Sequence, residues 1–213
     1  MFLIKSFTFN PFQENSYVLY TDSGDCIIID PGCYQDHEKT TLANFIESEG
    51  LTPVMLVNTH CHLDHIFGNK YIAEKYNLKL KFHPDDQPVF DYAPTAGLMY
   101  DMAFDTYTGE IEYIREGEKL SVGNDELEII HVPGHSPGSV CLYNVNQKFL
   151  IGGDVLFRNS IGRYDLPGGD GALLISQIRS KLFLLPNEVI VYPGHGPETT
   201  IGYEKRNNPF LVP

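Results

Sequence analysis

Residues 58–69 read NTHCHLDHIFGN, and three histidines and an aspartate fall within six of those positions, as His60-x-His62-x-Asp64-His65. Each offers a nitrogen or oxygen donor of the kind that zinc, iron or manganese takes. A lone histidine is more often structural than functional. The full pattern arises by chance in about one in a thousand chains of this composition, so four potential ligands together reverse that balance. The flanks place the motif. PVMLVNTH, residues 53–60, is short and almost wholly apolar up to Asn58, which is the pattern of a buried strand. Helical spacing follows, with Ile66, Ile72 and Ala73 up to Tyr76 and a helix start near Asp64. In extended chain, residues i and i+2 point the same way, so His60 and His62 grip one cation together. Cys61 points away and is not a ligand. Asp64 and His65 lie at the turn into the helix and face a second position. Asp64 also suits the helix start, where an acid caps free N–H groups.

The signal recurs downstream. HVPGHSPGS places His135 in a loop directly after a strand pattern, LIGGDVLF places Asp154 behind two glycines, and VYPGHGPET places His195 in another strand-end loop. Gly and Pro build tight turns that hold a side chain at the rim of a sheet. His60, His62, Asp64, His65, His135, Asp154 and His195 are therefore the candidate ligands. One zinc needs only three protein ligands and an open position. Seven suffice for two cations with one shared carboxylate.

The rest of the chain fits a globular enzyme. Its 213 residues are 42 % hydrophobic and 20 % charged, enough to bury a sizeable core. A formal charge of −13 argues against nucleic acid as a partner, because such a surface repels phosphate. Cys26, Cys33, Cys61 and Cys141 show no C-x-x-C spacing and read as free thiols in a reducing compartment. No segment has the roughly 20 apolar residues that span a bilayer, and no signal peptide is legible at the N-terminus. The expectation is a cytoplasmic protein without membrane association.

Strand patterns fill residues 2–32, a helix is expected from about Asp36 to Glu49 with Leu42, Phe45 and Ile46 on one face, and residues 83–110 show no clear period and read as an insertion or lid. Strand signals resume at Lys119, a helix is expected from Ala172 to Leu184, another strand ends at the His195 loop, and residues 199–210 suit a short closing helix. Both halves run from strands through a helix to a strand that delivers a histidine loop. That plan suggests two stacked sheets with helices outside them, in one domain spanning residues 1–213.

With THCHLDH, PGHSPGSV, GGDVLF, IGRYDLPGGD and YPGHGPETTIGYEK in place, the chain resembles the metallo-β-lactamase superfamily over nearly its whole length. It is most similar to the glyoxalase II-like branch, the hydroxyacylglutathione hydrolases. The resemblance implies an α/β fold, a four-layer αββα sandwich with metals at one edge of the two sheets. Carried over by position, it implies that His60, His62 and His135 bind a first metal, that Asp64, His65 and His195 bind a second, and that Asp154 bridges them. Asp at 154, in place of Cys or Ser, is unlike the true β-lactamases. Glyoxalase II enzymes usually continue into a helical C-terminal domain that helps hold glutathione. This chain resembles the short relatives without it, and Tyr164 stands in GRYD where the family commonly has Thr.

The implied chemistry is hydrolysis of a small-molecule thioester such as S-2-hydroxyacylglutathione by metal-bound hydroxide, with two divalent ions, zinc before iron or manganese, and with Asp64 orienting the nucleophile as the catalytic residue. The alternatives are a mononuclear iron oxygenase of the persulfide dioxygenase kind, or a lactonase or phosphodiesterase on the same fold. Outside the ligand set, His37 reads as solvated, His83 as structural and His131 as structural or as support for a ligand loop. Arg163 either meets a substrate carboxylate or pins its loop. Lys205 and Arg206 read as helix-end charge compensation. Phe82, Phe90, Tyr92, Tyr100 and Tyr107 read as core or loop packing, with a substrate cleft as the lesser alternative.

Overall fold

The computed structural model describes residues 1–212; Pro213, the last residue of the expected unit, lies outside the described residues. The first sheet is built in chain order from β1 (Leu3–Phe9), β2 (Glu14–Tyr20), β3 (Asp25–Ile29), β4 (Thr52–Val57), β5 (Leu80–Phe82) and β6 (Ile111–Tyr113). β1 to β3 are antiparallel, and β3 to β6 are parallel. The parallel part needs crossovers, and helices supply them. They are α1 (Asp36–Ser48), the short α2 (Leu63–Ile66), α3 (Asn69–Tyr76) and α4 (Gln87–Met99).

The second sheet contains β7 (Lys119–Val122), β8 (Asp125–His131), β9 (Val140–Asn144) and β10 (Phe149–Gly153). A two-stranded ribbon, β11 (Leu156–Phe157) and β12 (Ser160–Ile161), follows, then α5 (Gly171–Ser180), β13 (Ile190–Pro193), β14 (Thr199–Thr200) and α6 (Ile201–Asn207). The order across this sheet is β14-β13-β10-β9-β8-β7, with β10 and β13 parallel.

Side-chain alternation produces the layers. In β3, Cys26 and Ile28 face one way and Ile27 and Ile29 the other, and all four are fully buried. Ile28 packs with Leu42 and Ile46 of α1, whereas Ile27 and Ile29 meet Leu127, Ile129, Leu142 and Ile151 of the second sheet. A third apolar cluster joins Leu150 and Val191 to Leu174 and Ile178 of α5 and Ile201 of α6. Three cores separate four layers, the expected αββα sandwich. Each fully buried Ile or Leu contributes about 1.5–3 kcal/mol.

The helices expected at 36–49, 172–184 and in the C-terminal stretch are present, the second ending in a 3₁₀ turn at Leu182–Leu184. Two readings need correction. β4 is buried only at Leu56 and Val57, while Val54 is 40 % exposed, and the strand stops at Val57. The stretch 83–110 is irregular only in its second part: a 3₁₀ turn at Pro84–Asp86 runs into the thirteen-residue α4, and residues 102–110 then carry no helix or strand before β6. Pro88 sits in the first turn of α4, where its missing N–H costs nothing, and Pro94 lies inside it. No helix among the described residues is long and apolar enough to cross a membrane.

Candidate metal centre

The C-terminal ends of β4, β8, β10 and β13 point to one edge of the two sheets, and each delivers a predicted ligand. The chain leaves β4 into His60 and His62, β8 into the His135 loop, β10 directly into Asp154 and β13 into His195. Backbone bonds lock these ends together. The Val140 N–H donates to the Thr59 carbonyl at 2.8 Å, and the Gly194 N–H donates to the Gly153 carbonyl at 2.8 Å. Gly194 has a steric reason to lack a side chain: a Cβ there would lie 2.1 Å from Asp154 Oδ1 and 2.7 Å from His65 Cε1.

All seven predicted residues meet. His62 Nδ1 lies 2.8 Å from His135 Nε2, which lies 3.1 Å from His60 Nε2. Nitrogens on one tetrahedral zinc, at bonds of about 2.05 Å, stand roughly 3.3 Å apart. Beside this triad, His195 Nε2 is 3.2 Å and His65 Nε2 3.9 Å from Asp64 Oδ2. Asp154 faces both groups, with Oδ2 at 3.6 Å from His135 Nε2 and 3.5 Å from His195 Nε2, and Oδ1 at 3.4 Å from His65 Nε2.

The outer nitrogens of three of the imidazoles are engaged, as is usual for cation-binding histidines. Nδ1 of His65 meets Asp30 Oδ2 at 3.1 Å, Nδ1 of His135 meets the Arg163 carbonyl at 2.8 Å, and Nδ1 of His195 meets the Phe12 carbonyl at 3.1 Å. With Nδ1 of His65, His135 and His195 engaged outward, their Nε2 atoms face the centre. His65 Nε2 and Asp154 Oδ1 are buried without any hydrogen-bond partner. Orphaned buried polar atoms are costly, and a cation supplies what they lack. The donor set therefore fits divalent metals.

The electrostatics divide the site. Burial, reinforced by the neighbouring imidazoles, holds His60 well below the usual histidine range and lowers His62 to about 3, so both are neutral lone-pair donors at pH 7. At His65 burial opposes protonation, but Asp154 and Asp64 outweigh it and raise the group well above its usual value. His195 is raised in the same way, chiefly by its hydrogen bond to Asp64 against the cost of burial. Asp154 is held below its ordinary value although burial acts the other way, because His65, His135 and His195 surround it.

Some expectations change. No side chain caps α2, His62 takes the N-cap position and Asp64 turns into the site, so the capping role read for Asp64 is not made. Cys61 is buried in the first core, as expected of a non-ligand. His37 is exposed. His83 and His131 stack at 3.9 Å, and His131 Nε2 meets the Pro137 carbonyl, bracing the His135 loop. Arg163 is pinned to Asp165 through two bonds of 2.8 and 2.9 Å. Tyr164 is half exposed and packs beside Gly169 and Gly171. Phe82, Phe90 and Tyr107 are core residues, but Tyr92 and Tyr100 line the cleft over the site instead of packing inside.

Two acids escaped the sequence reading. Asp30 follows the apolar run of β3 and looks like a turn residue in DPG. Its carboxylate accepts from the Thr59 amide at 2.7 Å, the Thr59 hydroxyl at 2.6 Å and His65 Nδ1. Asp86 lies in HPDD, at the mouth of α4. It is fully buried and accepts from the Cys61 amide, the Gly138 amide and the Ser136 hydroxyl. Only an acidic residue next to an apolar run marks the first, and nothing local marks the second.

With the fold and ligand set in view, the sequence profile of the metallo-β-lactamase superfamily matches residues 9–195. The chain belongs to the metallo-β-lactamase superfamily. It is a metallo-hydrolase of that superfamily. Hydroxyacylglutathione hydrolase GloC of Haemophilus influenzae is 36 % identical over 202 residues, covering 94 % of this chain and 93 % of that protein. The crystal structure of the BLEG-1 B3 metallo-β-lactamase superposes with a TM-score of 0.90 at 37 % identity, covering 99 % of this chain and 100 % of the other. The di-iron-bound form of TTHA1623 gives 0.88 at 37 % identity, covering 97 % and 100 %.

Proposed function

We propose that this metallo-hydrolase is a two-metal thioester hydrolase. What supports the reading is the single carboxylate of Asp154 placed between two ligand triads, together with the likeness to GloC and to the di-iron protein. His60, His62 and His135 would hold one ion and Asp64, His65 and His195 the other, with Asp154 within reach of both groups; zinc is the first candidate, with iron or manganese compatible with the same donors. Two divalent ions would supply Lewis acidity toward a carbonyl oxygen and would make water nucleophilic near neutral pH.

The chain's residues do the rest. Asp64 is kept ionised by His65 and its bond from His195, against the opposing effect of burial, and it borders the cleft. It is placed to accept a hydrogen bond from the attacking water and aim its oxygen at the carbonyl carbon. The C–S bond breaks, and the thiolate leaves with the bonding pair. The products are a carboxylate, a thiol and one proton released to solvent. A thiol with a pKa near 8.5 leaves without a dedicated acid.

The test is metal content of protein purified without chelators, beside hydrolysis of S-lactoylglutathione. About two ions per chain with turnover is expected, and Asp154→Ala is expected to lose both the stoichiometry and the activity. An active Asp154→Ala protein with both ions bound would sink the proposal. One iron per chain, no hydrolysis and oxygen uptake with glutathione persulfide would select the oxygenase. The likeness to BLEG-1 favours β-lactam hydrolysis as a second reading, so a β-lactam belongs in the same assay.

A further inference from the structure

Helix α4 carries two apolar stripes where a surface helix needs one. Phe90, Ala93 and Gly97 are buried toward the first core. Val89, Tyr92, Ala96 and Met99 recur at spacings of three and four, so they share another face, and that face borders the cleft above the candidate ligands. Packing within the chain consumes only part of it: Val89 and Ala96 also touch the first core, while Tyr92 is 43 % and Met99 73 % exposed. A contiguous apolar surface left in water marks a binding site.

The rest of the lining includes further apolar residues, Phe12, Phe157, Leu166 and Pro167. Phe12 meets Tyr100, just beyond the end of α4, edge to face at 5.8 Å. The cavity is about 730 Å³ and has His62, Asp64, His135, Asp154 and His195 among its lining residues. That is the size of a small-molecule site, about 300–1,000 Å³. Apart from those five, Arg163 is the one charged group among the described lining residues, and Asp165 already takes two of its five N–H donors. A glutathione conjugate brings two carboxylates and an ammonium. Burying them needs partners that these walls do not offer. The net charge of −13 adds repulsion toward an anionic substrate.

We propose that the cleft takes an uncharged thioester with an extended apolar group on its acyl or its thiol half, laid along Val89, Tyr92, Ala96 and Met99, in preference to a glutathione conjugate. This inference narrows the substrate of the thioester reading and rests on it.

The metal-loaded protein is assayed for thiol release with three sets of substrate. The first is the N-acetylcysteamine thioesters from acetyl to decanoyl, the second acetyl thioesters of alkanethiols of rising length, and the third S-lactoylglutathione. The value of kcat/KM is expected to climb about fourfold per added methylene in one series, which corresponds to about 0.8 kcal/mol per buried CH₂. The series that climbs identifies the half lying on α4, and Met99→Lys is expected to flatten its slope. A flat response in both series, or S-lactoylglutathione as the best substrate, overturns the inference and leaves thioester hydrolysis standing. If no thioester is hydrolysed, the proposed function fails and calorimetry on the metal-loaded protein decides the cleft. Octanoate binding at least about tenfold tighter than acetate upholds an apolar site, and equal affinities overturn it.

Discussion

The carboxylate of Asp86 accepts the backbone N–H of Cys61 at 2.5 Å, which ties the mouth of helix α4 to the loop that carries His60 and His62. Its other oxygen accepts the Gly138 amide at 2.7 Å and the Ser136 hydroxyl, in the loop that carries His135. One buried acid thus spans both segments that supply the first triad and the wall of the cleft. Asp86→Ala leaves three donors without a partner and is expected to cost about 3–5 kcal/mol of stability. Asp86→Asn keeps the shape and is expected to fold, with metal affinity at the His60, His62 and His135 triad reduced about 10- to 100-fold. Chelator competition measures it, and an Asn variant of unchanged affinity would show that the acid only stabilises the fold.

Asp30 plays the corresponding part at the second triad through its contact with His65 Nδ1 at 3.1 Å. Asp30→Asn is expected to weaken the ion bound by Asp64, His65 and His195 about 10- to 100-fold while the first triad keeps its affinity. Stepwise metal titration resolves the two events. Equal losses at both sites would contradict the division of ligands.

Metal binding should release protons unevenly. His60 and His62 are already neutral at pH 7, whereas His65 and His195 hold protons more tightly than a free histidine because of Asp154 and Asp64. The first ion is expected to bind with little proton release from His60 and His62, and the second with release of about one to two protons from His65 and His195. Calorimetry in buffers of different ionisation enthalpy counts them. The second affinity is expected to rise with pH more steeply than the first.

The stability of the metal-free protein carries the same asymmetry. His62 titrates near 3 when folded and His60 also lies well below its ordinary value, while an unfolded histidine titrates near about 6.5. Below about 6.5 the unfolded chain takes up protons that the fold refuses, so the stability contributed by these groups is complete above that pH. It is lost as pH falls toward about 3, by up to about 1.4 kcal/mol per unit and group. His65 acts oppositely: its raised value contributes stability below about 6.5 that disappears as pH rises through its folded value. Thermal melts of the chelated protein are expected to peak near neutrality, and metal is expected to remove the alkaline loss by replacing the proton on His65.

Gly194 abuts the shared carboxylate, where an added Cβ would lie 2.1 Å from Asp154 Oδ1. Gly194→Ala is expected to displace Asp154 and lower kcat at least about 100-fold, with far-ultraviolet circular dichroism unchanged. Full activity in the Ala variant would mean that Asp154 has room to move.

Sequence alone determined the candidate ligand set and the layered plan. His60-x-His62-x-Asp64-His65 is local, and its meaning follows from the spacing of side chains along extended chain and a helix start. His135, Asp154 and His195 each stand beside Gly and Pro at the end of an apolar run, a signal carried within a few residues. Tertiary structure alone decided the supporting acids and the cleft. Asp30 lies 35 residues from His65, and Asp86 lies 25 from Cys61 and 52 from Gly138, so no local pattern links them. Helix α4 escaped the sequence reading because Pro94 and apolar side chains on two faces erase the single polar face that marks an amphipathic helix. One of those faces belongs to the core and the other to the cleft, a distinction that exists only once two sheets have brought the walls together.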